Sequence, residues 1–309
     1  MGNQIRTTIL LAVMTVFFIL IGQMLGGRQG MIIALIFAAG MNFFSYWYSD
    51  KIVLRMYKAN EVSPQQSPEL YDMVAELSQR AQLPMPKVYI IPKDAPNAFA
   101  TGRNPEHAVV AVTHGLLRLM NREEIIGVLA HELAHVKNRD ILIGSIAATM
   151  AGAIMLLATM ARWSAIFGGM RGNDEEGGMG GLGLILMSII APLAATVIQM
   201  AISRRREYLA DATGAQFAGR SDGLASALAK LGAYSGRLPL DAHPSTAHMF
   251  IVNPLSGKSL ASLFSTHPPL EERIARLTGR APSGRADDPP DRRPRTMEDR
   301  GRAFWDKMG

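Results

Sequence analysis

The chain contains no cysteine, and this absence narrows the chemistry that is open to it. Without cysteine there can be no disulfide framework, and a zinc site cannot be built from thiolates. Any metal ligands must therefore come from histidine, aspartate or glutamate. The absence of cysteine does not by itself fix the redox compartment.

Charged residues are also scarce, at 19% of the chain, whereas hydrophobic residues make up 48%. Residues 7–25, 30–48, 141–161 and 182–202 contain no charge at all. Each stretch is about 20 residues long, which spans a hydrocarbon core of about 30 Å as a helix. The first has no A-x-A-like cleavage site and is followed at once by the second, so a retained hairpin is expected rather than a signal peptide. The last two are rich in alanine and glycine, and buried core helices remain an alternative for them.

The positive residues lie beside these apolar stretches and indicate an orientation. The turn between the first two stretches carries only Arg28, whereas Lys51, Arg55 and Lys58 follow the second and residues 204–206 follow the fourth. The positive-inside rule places such basic flanks in the cytoplasm, together with both termini and the segment after residue 50. The net charge of +6 is explained by these flanks and the C-terminal tail, so no nucleic-acid partner is expected.

Residues 131–135 read H-E-x-x-H within a segment of helical pattern. Two histidines four residues apart lie on one face of a helix, so His131 and His135 can bind one Zn²⁺. Glu132 then lies beside the metal, where it can take a proton from a water molecule. Asn121 and Glu124 have the spacing of a capping box just before the motif. The pattern predicts metal-dependent peptide hydrolysis.

A catalytic zinc needs a third protein ligand, and no histidine follows the motif at short spacing. Glu207 is the best candidate, because an antiparallel hairpin over residues 141–202 would return it to the level of His135. The alternative is a membrane-flanking charge. Asp211, one turn beyond Glu207, and Asp140, after the first helix, could each accept a hydrogen bond from a ligand histidine. Both could instead be solvated charges at helix ends.

Residues 87–91 and 108–113 are short, apolar and β-branched, and both are predicted to be strands. The segment between them, at Asn97, Ala98, Phe99, Ala100 and Thr101, is predicted to hold substrate as an added β-strand, with Phe99 offering a backbone donor. An ordinary surface loop is the alternative.

His267 precedes two prolines, which restrict the local backbone and so the approach of the imidazole. We expect it to stabilise the oxyanion that forms when a peptide carbonyl is attacked. The alternative is an exposed histidine that caps the following helix.

These motifs together resemble those of the M48-family membrane zinc metalloproteases, and in particular the bacterial HtpX heat-shock protease group. The resemblance rests on residues 97–102, 131–135 with Asp140, 203–211 and 266–270. It implies one Zn²⁺ per chain bound by His131, His135 and Glu207, with Glu132 as the catalytic acid and base. It also implies a bacterial inner-membrane protein that takes part in stress response by degrading damaged or misassembled membrane proteins, with protein substrates and the lipid bilayer as partners. Eukaryotic relatives process the C-termini of prenylated proteins.

The expected fold is mainly α with a small β-sheet, an α+β zincin-type catalytic domain interrupted and anchored by transmembrane helices. Residues 1–50 form a transmembrane hairpin, 51–279 the protease domain with a second hairpin at about 141–202, and 280–309 a disordered tail rich in proline and arginine. The oligomeric state is left open.

Three other functions are weighed against quality control. The first is a processing peptidase for one membrane-associated substrate. The second is a metal transporter, which usually needs ionisable groups inside the membrane, and the apolar stretches have none. The third is an inactive zinc scaffold, which would close the site with four ligands and would not need Glu132.

Overall fold

The computed structural model describes residues 3–168, 204–235, 249, 251 and 268–280. Its helices are α1 (Asn3–Met56), α2 (Pro68–Ala81), α3 (His114–Leu119), α4 (Arg122–Lys137), α5 (Ile141–Gly168), α6 (Arg204–Ala218), α7 (Asp222–Ser235) and α8 (Leu270–Thr278). Its strands are β1 (Asn60–Glu61), β2 (Lys87–Ile91), β3 (Ala98–Thr101) and β4 (Val109–Thr113). The predicted fourth apolar stretch, His267 and the tail after residue 280 lie outside the described residues.

The range labelled α1 consists of two helical arms, Ile5–Gln23 and Gly27–Met56, that fold back on each other as a hairpin. Each arm is long and apolar enough to cross a bilayer. The chain reverses at Gly27, where φ is +55°, a conformation that glycine adopts without a steric penalty. The arms approach closely at Gly22, because a Cβ there would lie 2.4 Å from the carbonyl oxygen of Gly30. Asn42 Nδ2 also donates to Thr15 Oγ1 across the arms at 2.8 Å. The second of these two apolar arms continues to Met56, six residues beyond the predicted boundary at residue 50.

The outer surface of this hairpin is apolar and exposed. Ile33 is 64% exposed and Ile36 is 68% exposed, and Phe43 and Phe44 are also more than half exposed. An exposed apolar surface of this extent is typical of a membrane-facing element. The described part of the chain therefore includes a membrane anchor.

Helix α5 begins at Ile141, the residue at which the third apolar stretch was predicted to begin. Its buried residues Ile143, Ile146 and Met150 pack against Leu10 and Met14 of the hairpin. The first turns of α5 thus lie against the membrane anchor, only a few residues after α4 ends at Lys137. This connection ties the H-E-x-x-H helix to the membrane region.

The described residues form one sheet of four strands in the order β1-β2-β4-β3. β2 is parallel to β4, and β1 and β3 pair antiparallel with their neighbours. The predicted strand at 87–91 is observed with the same bounds, and β3 occupies the segment predicted to be extended. β3 is an edge strand, and its residues pack against both α4 and α5. A mostly helical fold with a small mixed sheet confirms the predicted α+β class.

Helix α4 is enclosed by α2, α6 and α7, which explains why the metal motif is buried. Val128, Leu129 and Leu133 of α4 belong to one core cluster with Leu224 and Leu228 of α7. Burying an aliphatic side chain of this kind contributes about 1.5–3 kcal/mol each. The packing holds α4 rigidly and leaves its histidine face turned toward α6.

Candidate active site

The start of α4 is fixed by the capping box that the sequence predicts. Asn121 Oδ1 accepts from the backbone N–H of Glu124 at 3.0 Å, and Glu124 Oε2 accepts from the N–H of Asn121 at 2.9 Å. The Glu124 carboxylate also accepts from Ser226 and Lys230 of α7, each at 2.7 Å. These bonds set the rotation of α4, and with it the direction of the histidine face.

Three potential metal ligands converge between α4 and α6. The Nε2 atoms of His131 and His135 are 3.2 Å apart, and Glu207 places its carboxylate oxygens 3.8 Å and 3.6 Å from them. In a tetrahedral site with bonds of about 2.0–2.1 Å, ligand atoms are about 3.3–3.4 Å apart. The observed spacings fit one small cation held by two nitrogens and one oxygen. In the described part of the chain, His131, His135 and Glu207 form the group able to hold a metal.

The far nitrogen of each histidine faces a carboxylate. His131 Nδ1 lies 2.9 Å from Asp211 Oδ1, and His135 Nδ1 lies 3.3 Å from Asp140 Oδ2. A carboxylate in this position accepts the Nδ1 hydrogen and leaves Nε2 free to bind a metal. Both aspartates are buried, so neither is a solvated charge at a helix end.

Arg273 is a residue of this site that the sequence reasoning missed. Its side chain is fully buried, and it donates from Nη2 and Nε to the two oxygens of Asp211 at 2.6 Å and 2.9 Å. Its Nη1 donates to the carbonyl of Ile251 at 3.1 Å and lies 3.7 Å from Glu207 Oε2. A signal was available, because Arg273 shares the apolar face of α8 with the partly buried Leu270, Ile274 and Leu277. A charge on such a face needs a buried partner.

Glu132, the residue between the histidines on α4, is buried and accepts a hydrogen bond from the edge strand. Its Oε2 accepts from the backbone N–H of Ala100 at 2.8 Å. Burial raises the pKa of the Glu132 carboxyl to about 7, an effect that the neighbouring His135 and the hydrogen bond from Ala100 only partly oppose. A carboxylate with a pKa close to neutral is well matched to proton transfer in both directions.

In strand β3, the backbone N–H and C=O groups of alternate residues point toward β4 and toward the opposite, unpaired edge. The carbonyl of Asn97 accepts from Thr113 of the neighbouring segment, so in an antiparallel pair Phe99 also bonds into the sheet. Ala98 and Ala100 consequently direct their backbone groups to the free edge. Phe99 is therefore not the donor at this edge, contrary to expectation, because its N–H is used in the ladder.

The same strand is linked to the other parts of the site through side chains. Asn97 Oδ1 accepts from the N–H of Ile251 at 3.3 Å, and Thr101 shares a hydrogen bond of 2.6 Å with Ser145 of α5. All of β3 is buried, including Ala98 and Phe99. His267 lies outside the described residues, but Pro268, the next residue, is buried beside the start of α8.

Comparisons with known proteins identify the family to which this chain belongs. Residues 64–281 match the profile of peptidase family M48. The chain is 70% identical over 309 residues to a protein of Desulfatibacillum aliphaticivorans called Protease HtpX homolog, and 67% identical over 308 residues to one of Desulforapulum autotrophicum with the same name. Both matches cover 100% of each chain.

A solved structure gives an independent comparison of the fold. The crystal structure of S. mikatae Ste24p matches with a TM-score of 0.50 and 19% sequence identity, covering 89% of this chain and 65% of that one. At this identity the likeness concerns the fold alone. The family profile and the full-length relatives carry the assignment, which favours an enzyme over the transporter and the scaffold. The chain is a membrane-anchored metalloprotease that belongs to peptidase family M48.

Proposed function

We propose that this metalloprotease is a zinc-dependent endopeptidase of the bacterial inner membrane. Its active site faces the cytoplasm, and it cleaves damaged or misassembled membrane proteins. The observation that carries the zinc chemistry is the spacing of 3.2–3.8 Å among the Nε2 atoms of the histidine pair and the Glu207 oxygens. The quality-control role rests on the resemblance to the HtpX group and on relatives of that name.

The donor set supports zinc in a catalytic rather than a structural site. Two imidazoles and one carboxylate leave a fourth position for water, as in other zinc hydrolases. When bound, the metal supplies Lewis acidity for that water and for the scissile carbonyl. His131, His135 and Glu207 would hold it, while Asp211 and Asp140 would orient the histidines.

Glu132 performs the proton transfers in this proposal. Its carboxylate takes a proton from the attacking water as the water oxygen bonds to the peptide carbon. The same proton then passes to the leaving nitrogen as the C–N bond breaks. The N–H of Ala100 keeps one carboxylate oxygen fixed, so the second oxygen is the one directed at the water.

Substrate alignment is assigned to the edge strand and to His267. A peptide in extended form would pair with the backbone groups of Ala98 and the carbonyl of Ala100, since these point away from the sheet. All four residues of β3 are buried, so a peptide can pair with this strand only where its free edge becomes accessible. His267 is proposed to donate to the oxyanion, on the basis of its two following prolines and the burial of Pro268.

The decisive experiment compares two glutamate variants of the same helix in the full chain, purified in detergent. Glu132→Gln should keep zinc and lose casein cleavage, because the ligands remain and the proton acceptor is gone. Glu123→Gln is the matched control, since Glu123 is exposed and forms a surface ion pair with Arg220. Full cleavage by Glu132→Gln would refute the mechanism.

The third ligand is tested by zinc content. Glu207→Ala should lower both the zinc measured per chain and the activity, whereas unchanged zinc would make Glu207 a structural charge.

The membrane topology is tested by cysteine labelling, because the native chain has no cysteine and single cysteines can be introduced. Cysteines at positions 28 and 172 should react with an impermeant reagent outside intact cells, and one at position 256 should not. Protection of 172 alone would mean that the second hairpin does not cross.

A further inference from the structure

A cleft of about 400 Å³ opens at the end of the second arm of α1, away from the metal site. Three exposed basic residues line it, Lys51 and Arg55 on the last turns of α1 and Lys58 just after the helix. Buried Leu54 and partly buried Ala59 form its apolar floor. No residue of the proposed catalytic machinery contributes to this cleft.

The shape of the cleft comes from a sharp turn after α1. Lys58 has φ +51°, a left-handed conformation that is uncommon for a residue other than glycine, asparagine or aspartate. The N–H of Ala59 donates to the carbonyl of Leu54 at 2.9 Å, so the chain turns back against the last helical turn. Asn60 and Tyr89 consequently complete the wall of the cleft.

Aromatic residues place this cleft at the depth of lipid headgroups. Tyr46, Trp47 and Tyr48 are all exposed on α1 just before it, and tyrosine and tryptophan concentrate at the boundary between lipid and water. Lys51 Nζ lies 5.2 Å from the centre of the Tyr48 ring. The guanidinium carbon of Arg103 lies 4.8 Å from the centre of the Trp47 ring. This contact holds the segment around Arg103 at the same depth as these aromatic residues.

The cleft has an excess of positive charge. Glu61, the nearest carboxylate in the sheet, is already engaged by Lys87 at 3.0 Å and by the Tyr89 hydroxyl at 2.9 Å. Asp50 adds a second carboxylate on α1. Among residues 3–168, 204–235, 249, 251 and 268–280, neither Arg55 nor Lys58 makes an ion pair. These side chains are available to an anion that enters from outside.

We propose that this cleft binds the phosphodiester headgroup of an anionic phospholipid. Arg55 offers the planar fork of donors that matches phosphate oxygens, and the two lysines add point charges around it. A lipid is favoured over a soluble phosphate because the cleft lies at headgroup depth beside the exposed apolar face of the hairpin, on which acyl chains can pack. The anion thereby anchors the protease domain at the membrane surface.

The test measures lipid retained by the full chain in detergent, by native mass spectrometry, with Glu132→Gln as the background to prevent self-cleavage. Palmitoyl-oleoyl phosphatidylglycerol and phosphatidylcholine are titrated in parallel. The cleft variant carries Lys51→Gln, Arg55→Gln and Lys58→Asn, in which asparagine suits the left-handed turn. The control variant removes three exposed basic residues elsewhere, Arg118, Arg122 and Arg280, each to glutamine.

Phosphatidylglycerol should bind the parent and the control alike, and bind the cleft variant on the order of a hundredfold more weakly, at about fivefold for each basic residue. Casein cleavage by the cleft variant with Glu132 restored should be unchanged in lipid-free detergent. Equal retention of phosphatidylglycerol by the cleft variant would overturn the proposal, as would equal retention of phosphatidylcholine by the parent. Displacement by inorganic phosphate at equal concentration would assign the cleft to a soluble anion instead.

Discussion

Asp211 links the metal site to the buried Arg273, and replacing it by asparagine separates the two contacts. The carboxylate accepts from His131 Nδ1 at 2.9 Å and from two nitrogens of Arg273 at 2.6 Å and 2.9 Å. Asparagine keeps the shape of the side chain but offers one oxygen and one NH₂ group. Its single oxygen can accept a hydrogen bond from His131 or from Arg273, but it cannot reproduce the hydrogen bonds that the Asp211 carboxylate makes to both.

The expected losses of metal affinity and of stability follow from the two contacts that Asp211 makes. Loss of the carboxylate behind a ligand histidine typically weakens metal binding by about 10–100-fold, or roughly 1.4–2.7 kcal/mol. Leaving a buried cation without its partner costs about 3–5 kcal/mol of stability. Glu207 Oε2 already lies 3.7 Å from Arg273 Nη1, so a closer pairing with the unpartnered guanidinium would compete with metal binding by this carboxylate. Both effects therefore lower zinc affinity.

The assay is the zinc dissociation constant of the full chain in detergent, obtained by competition with a chelator of known affinity. Asp211→Asn should raise it at least tenfold and lower the thermal unfolding midpoint. Adding Arg273→Met should recover part of the stability, because the unpaired cation is gone, but not the zinc affinity. Asp222→Asn is the control, because Asp222 is exposed and forms a surface ion pair with Arg220, away from the metal site. A dissociation constant for Asp211→Asn within twofold of the parent would refute the reasoning.

Three further predictions test the geometry around the same site. Ala100→Pro removes the N–H that donates to the Glu132 carboxylate without breaking a ladder bond, so kcat should fall at least tenfold with zinc retained. An unchanged kcat would show that this hydrogen bond does not contribute to activity. Gly214→Ala places a Cβ 2.9 Å from the backbone of His131, so α6 must move and zinc should bind about tenfold or more weakly; Gly144→Ala, which meets nothing within 4 Å, is the control. His267→Ala should lower kcat by about 10²–10³ with KM and zinc little changed, and a fall of less than about tenfold would exclude it as the oxyanion donor.

Local sequence patterns predicted the histidine pair, the start of the helix that carries it and the apolar N-terminal helices. The spacing of His131 and His135 fixes their common face because helix geometry depends only on neighbouring residues. The capping box at Asn121 and Glu124 is local for the same reason, and both of its hydrogen bonds are observed. Apolar length predicted two N-terminal helices long enough to cross a bilayer, since the bilayer thickness sets the number of residues needed.

Contacts between distant segments were decided only by the tertiary structure. The bond from Ala100 to Glu132 depends on β3 lying at the sheet edge, and strand order is not written in the pattern of any single strand. Arg273 reaches Asp211 across 62 residues, and the burial that makes this pair strong exists only once α4, α6 and α8 have packed. The spacing in the sequence thus identified His131 and His135 as a pair able to bind a metal. Packing of the helices fixed the direction of each donor and the burial that raises the pKa of Glu132.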